Sequence, residues 1–218
     1  MPIYNAQILQ VDAAETRRYA GLRRAQGFGE DNIVAACEEA LLLLEVRGAW
    51  QVYAYDRISH VINSNPPLTL TGKAIARHLR GCERVVCMAV TVGAQIEREV
   101  TEKFSRGEYL SSVLLDAAAS AAVEQAADAM EKNFAAIFAR EGFTLRRRFS
   151  PGYGDWDLTE QAGLFKICGA EQIGLRLTSS MMLEPRKSVT AIIGLSRGVN
   201  ASDKTCAACA MVDCPARR

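Results

Sequence analysis

The chain lacks an excess of charge of either sign: 26 Lys and Arg stand against 25 Asp and Glu in 218 residues, a formal charge of +1. That balance excludes the global positive field that draws a protein onto nucleic acid or an anionic membrane, so recognition of a partner must be local. A long uncharged apolar run is also missing, which removes a bilayer-spanning helix. The start, Met1-Pro2-Ile3-Tyr4-Asn5-Ala6-Gln7, has neither the basic region nor the apolar run of a secretory leader, so a cytoplasmic chain is expected. No internal repeat and no Gly/Ser linker interrupts the sequence, so one domain over residues 1–197 and a short tail over 198–218 are expected. The fingerprint Gly-x-Gly-x-x-Gly is absent and strands do not alternate regularly with helices, which argues against a doubly wound nucleotide fold.

What is present suits a globular protein, with 49% hydrophobic and 23% charged residues. The seven cysteines are odd in number, and without an export signal a disulfide framework is a poor explanation. Cys37, Cys82, Cys87 and Cys168 are scattered, whereas Cys206, Cys209 and Cys214 crowd the C-terminus.

Helical spacing of Ile33, Cys37, Ala40, Leu41 and Leu44 after Asp31 predicts a helix from Asp31, as its cap, to about Val46. The β-formers Val52, Tyr53, Tyr55, Val61 and Ile62 predict extended structure over 50–62, ended by Asn65-Pro66-Pro67. Arg84 to Val92, between Gly81 and Gly93, reads as a strand buried on both faces. Helices follow over about 93–106 and 108–140, the second Ala-rich and ended by Gly142. A short strand over 143–149, an Asp157/Glu160 capping pair and a helix to about Cys168 come next. Leu175 to Leu183 and Ser188 to Leu195 then predict an antiparallel pair joined by residues 184–187. The pattern is α+β, an antiparallel or mixed twisted sheet with long flanking helices.

The segment Arg148-Phe149-Ser150-Pro151-Gly152-Tyr153-Gly154-Asp155-Trp156 puts a cation, a rigid proline, two glycines and the aromatic rings of Tyr153 and Trp156 between a strand and a helix. A guanidinium can fork onto a carboxylate, glycine lets backbone approach a ligand, and an aromatic ring can cover a purine or face a sulfonium. Read by composition, the segment suits either such a ligand loop or an ordered turn whose Tyr153 and Trp156 plug the edge of the core.

Arg148, Pro151, Gly152 and Tyr153 form Arg-x-x-Pro-Gly-Tyr, which resembles the S-adenosylmethionine loop of the activation (reactivation) domains of cobalamin-dependent methionine synthase. Two further segments resemble that family in the same order. Ala122-Val123-Glu124-Gln125-Ala126 is similar to its helix with an acidic ligand-binding residue, and Pro185-Arg186-Lys187-Ser188-Val189-Thr190 to its Pro-x-x-Ser-Val-Ser strand start. The resemblance covers about residues 80–195. It implies that Arg148 anchors the ligand's carboxylate, Glu124 its ammonium, Ser150 and Gly152 the nucleoside through backbone contacts, and that Tyr153 lines the face shown to the corrinoid. The family also uses a tyrosine on a later strand. This chain has none after Tyr153, so part of the pocket is expected to differ.

Corrinoid carriers of this superfamily ligate cobalt through Asp-x-His-x-x-Gly, and neither histidine here, His60 or His78, fits; Ala76 stands where His78 would need the aspartate. The cobalamin is therefore expected on a partner, a cobalamin-binding methionine synthase or another corrinoid protein. The resemblance implies an accessory subunit of a methyltransferase: a flavodoxin- or ferredoxin-like donor reduces cobalt(II), and methyl transfer from S-adenosylmethionine traps cobalt(I). The protein's share is placement.

In the tail, Cys206-x-x-Cys209 with Cys214-Pro215 groups three thiols that suit either reduced cysteines or a metal, zinc or an iron-sulfur cluster. A fourth ligand would come from Cys82, Cys87, Cys168, a partner or solvent. An iron-sulfur tail would make the chain a reductive activator of another corrinoid methyltransferase, the second reading of the sequence.

Overall fold

The computed structural model describes residues 2–5, 7–25 and 27–197. Strand β1 is Ile3–Tyr4, helix α1 Ala13–Tyr19, α2 Glu30–Leu43, β2 Arg47–Asp56, β3 Val61–Ile62, β4 Leu68–Thr69 and α3 Lys73–His78. Then come β5 Arg84–Thr91, α4 Gln95–Ser105, α5 Tyr109–Ala139, β6 Thr144–Leu145, α6 Gln161–Cys168, β7 Arg176–Leu177, β8 Leu183–Glu184 and β9 Ser188–Ser196. The main sheet runs β4-β3-β2-β5-β9-β6 with β1 added on β2, and all its pairings are antiparallel.

Strand β5 is the middle of this sheet, and its alternation separates two cores. Val86, Met88 and Val90 pack under α5, α2 and α1, while Val85, Cys87 and Ala89 pack under α3 and α6. The expectation of a strand buried on both faces holds, because helices cover both sides. Helix α5, at about 1.5 Å per residue some 46 Å long, lies across one face on its small side chains, with Ala118, Ala119, Ala122 and Ala126 fully buried. It ends where expected: Gly142, at φ +79°, returns its amide to the Ala139 carbonyl.

Three expectations are corrected and one is refined. Leu175–Leu183 does not pair with Ser188–Leu195. It folds on itself, β7 against β8, around a turn in which the Thr178 amide donates to the Met182 carbonyl and the Met182 amide to the Thr178 hydroxyl. Strand β9 pairs with β5 along one edge, and on the other with β6 at Leu195 and Ser196 and with Phe149 at Ile192. Asp31 is not the cap; the cap is Gly29, two residues earlier and without a side-chain bond, and α2 starts at Glu30. Asp157 does accept the Thr159 amide, but Glu160 turns away from that cap to the Trp156 indole. The extended region from residue 50 is a hairpin of β2 and β3.

Candidate functional site

The site is built by an irregularity at the sheet edge. Thr144 pairs with Ser196 and Leu145 with Leu195, but the next contact, Phe149 with Ile192, is one residue out of that register. Arg146 donates its amide to the Gly194 carbonyl, so Arg147 and Arg148 together stand opposite Ile193 alone. Two residues against one make a β-bulge, which re-aims side chains and takes backbone groups out of the ladder. Both released groups have partners from flanking helices. The Arg147 carbonyl meets His78 Nε2 of α3 at 2.7 Å, and the Arg148 amide donates to Glu131 Oε1 of α5 at 3.0 Å.

The bulge turns Arg148 onto α5, where Glu124, Asp128 and Glu131 share a face by their spacing of four and three. Nη2 reaches Glu124 at 2.7 Å, and Nη1 reaches Asp128 at 2.5 Å and Glu131 at 2.6 Å. The Arg148 side chain is 16% exposed, and the three carboxylates are 28%, 41% and 22% exposed. Burial by itself lowers the guanidinium's pKa; the hydrogen bond and charge of Asp128, with those of Glu124, outweigh it and raise the value above that of ordinary arginine. Arg148 is thus a permanent, oriented cation. Farther toward the start of α5, Lys187 meets Asp116 and Ser120 at 2.8 Å each, extending the polar stripe.

After the bulge the chain doubles back. The Tyr153 amide donates to the Ser150 carbonyl at 3.3 Å, Trp156 to the Tyr153 carbonyl at 3.1 Å, and Gly152, at φ +88°, to the Trp156 carbonyl at 2.8 Å. Trp156 is buried, and its indole donates to Glu160, which also accepts from Thr71. Asp155 accepts the amides of Lys73 and Ala74 at 2.9 and 2.7 Å, holding the loop on the first turn of α3. Those bonds favour the carboxylate and lower its pKa. Gly154, at φ +61°, passes so close to α3 that a Cβ there would lie 2.9 Å from the Ala74 methyl.

The structure therefore brings Arg148 and Glu124 into contact and sets Ser150, Gly152 and Tyr153 on the loop that follows. Tyr153 is 65% exposed with its ring 6.2 Å from Phe149, so of the two aromatics only Trp156 plugs the core. Asp128 and Glu131 join the site without having been expected from the sequence, although their i+4 and i+7 relation to Glu124 is the signal that marks them. Neither histidine projects as a ligand: His60 Nδ1 meets the Tyr55 hydroxyl at 3.1 Å, and His78 supports the bulge. Cys206, Cys209 and Cys214 lie outside the described residues. Of the thiols expected as a fourth ligand, Cys82, Cys87 and Cys168 are sealed in the core beside α6. No group of side chains able to hold a metal occurs among the described residues, nor does a helix long and apolar enough to cross a membrane.

The family described as vitamin B12 dependent methionine synthase, activation domain, matches residues 73–199. Among solved structures, a crystal structure of the MetH reactivation domain bound to AdoHcy is similar at TM-score 0.64 and 15% identity, over 92% of this chain and 80% of that one. No curated protein sequence matches. The matched segment contains α5, the bulge, the loop and β9, and the chain belongs to the family of activation domains of vitamin B12-dependent methionine synthase.

Proposed function

We propose that the chain binds S-adenosylmethionine between α5 and the Arg148–Tyr153 loop and presents its methyl group to a corrinoid carried by a partner, as the reactivation subunit of a cobalamin-dependent methionine synthase. The observation that carries this reading is the 2.7 Å contact of Arg148 with Glu124, residues 24 apart that the resemblance pairs as holders of the ligand's carboxylate and ammonium. A zwitterionic amino-acid end fits such a pair, its carboxylate on the guanidinium and its ammonium on Glu124, each bond charge-assisted. Taken by themselves, one guanidinium and three carboxylates sum to −2, which suits a ligand whose sulfonium gives it a net positive charge. The exposed Tyr153 ring and the backbone of Ser150 and Gly152 would take the nucleoside and the face toward the corrinoid. The AdoHcy held by the structurally similar domain supports a ligand of this class.

The chain's contribution is to bind, orient and shield; the methyl donor and the partner's cobalt supply the reactivity. Reduction would come from a flavodoxin- or ferredoxin-like donor. The family match favours methionine synthase over another corrinoid methyltransferase as partner.

Calorimetric titration with S-adenosylmethionine tests the site. Native protein is expected to bind, and Arg148→Ala to lose about 30-fold or more in affinity, as when a paired charge loses its partner. Because Arg148 also stabilises the bulge, the exposed Tyr153→Ala provides a second variant that leaves the fold intact and weakens binding. Affinity unchanged in both variants would remove the assignment.

A further inference from the structure

Glu131 touches the bulge with both carboxylate oxygens. Oε1 accepts the Arg148 amide at 3.0 Å and Oε2 accepts Nη1 of the same residue at 2.6 Å. One side chain thus fixes the backbone and the guanidinium together, from a helix that packs on β5, β6 and β9. Arginine has five N–H donors. Among the described residues Nη1 uses both of its hydrogens, on Asp128 and Glu131, and Nη2 uses one, on Glu124. Nε–H and the second Nη2–H remain, on the two nitrogens of one guanidinium edge. That edge matches the two oxygens of a carboxylate, provided the plane of the group is held.

We propose that Glu131 is a positioning residue for the amino-acid end of the ligand: with Asp128 it locks Nη1 and so directs the Nε/Nη2 edge of Arg148 at the ligand's carboxylate. The inference rests on the S-adenosylmethionine reading of the site. Glu131 itself does not touch the ligand; it acts by limiting the torsions of a long side chain that would otherwise sample many orientations. Asp128 contributes to the same lock through Oδ1, at 2.5 Å from Nη1.

The test is Glu131→Gln. Glutamine keeps a carbonyl oxygen for the Arg148 amide, so the bulge persists, but loses the charge-assisted bond to Nη1. Two probes separate the roles: S-adenosylmethionine, and 5′-methylthioadenosine, which has the nucleoside and sulfur without the amino acid. The expected result is a weakening for S-adenosylmethionine of roughly threefold to tenfold, about the net contribution of one ordinary hydrogen bond, because the lost bond acts on the ligand only through Arg148. Affinity for 5′-methylthioadenosine and the melting temperature should stay near native values, and Asp128→Asn should give the same pattern, weaker binding of S-adenosylmethionine with 5′-methylthioadenosine unchanged. Unchanged affinity for S-adenosylmethionine overturns the inference. So does an equal loss for both probes, or a large fall in melting temperature, since either reports a structural role. If the native chain binds neither compound, the ligand reading fails and the inference with it; native binding that survives Glu131→Gln removes the inference alone.

Discussion

Gly154→Ala should damage both stability and ligand binding, and the two causes can be separated. Gly154 lies at φ +61°, a left-handed conformation that costs an L-residue about 1–2 kcal/mol. An added Cβ would also sit 2.9 Å from the Ala74 methyl, whereas carbon atoms rest at about 3.5–4.0 Å. The gap must open by more than half an ångström, and α3 is held in place there by Asp155 on the amides of Lys73 and Ala74. Overpacking of this kind costs about 1–3 kcal/mol, for a total near 2–5 kcal/mol. Urea unfolding of Gly154→Ala, Ala74→Gly and the double variant measures the parts. Ala74→Gly is itself destabilising by about 1 kcal/mol, as glycine in a helix, but in the double variant the clash is gone. The double variant should therefore be more stable than additivity predicts by about 1 kcal/mol or more. Additive effects within about 0.4 kcal/mol would refute the claim that the loop is seated on α3 by this contact.

Three further outcomes are expected. Asp155 has its pKa lowered from 3.8 by the amides of Ala74 and Lys73, so the stability it confers is present above that value and is lost as pH falls through the lower folded one. Asp155→Asn should flatten the acid limb of a stability–pH curve below about pH 4; a parallel limb contradicts the docking role. Tyr55, 6% exposed, has its pKa pushed from 10.0 to about 12, chiefly by burial. Its neutral phenol favours the fold until the unfolded chain ionises, so up to about 2.7 kcal/mol should be lost between pH 10 and 12, and Tyr55→Phe should remove that dependence, read by denaturant midpoints. Iron, sulfide and zinc analysis of anaerobically purified protein tests the Cys206, Cys209 and Cys214 expectation; zinc alone, or no metal, removes an electron relay.

Long, regular features were legible in the sequence because periodicity and composition act locally. Helix α5 could be read from its Ala-rich run and Gly142, and β5 from an apolar stretch too long to have a solvent face. Helix α1 was missed because Ala13–Tyr19 is too short to display a period, although Asp12 caps it with bonds to Ala14 and Glu15. The β7/β8 hairpin was missed because strand partners are decided by which sheet edges are open, which no local pattern records. At the site, the contact between Arg148 and Glu124 depends on a one-residue bulge that is visible only once β6 and β9 are in register. Without that shift Arg148 would point elsewhere, and the sequence alone therefore could not choose between a turn and a ligand loop. Asp128 and Glu131 were readable in principle from their spacing on α5, but only after Arg148 was known to face that helix.

Hydrogen exchange with and without S-adenosylmethionine shows whether the ligand lies between the Arg148 loop and α5. Slowed exchange is expected in two segments alone, the amides of the loop from Arg148 to Trp156 and the facing middle of α5 around Glu124 to Glu131, with little change in β2 or α4. Binding without protection in those segments, or protection centred elsewhere in the fold, would contradict it.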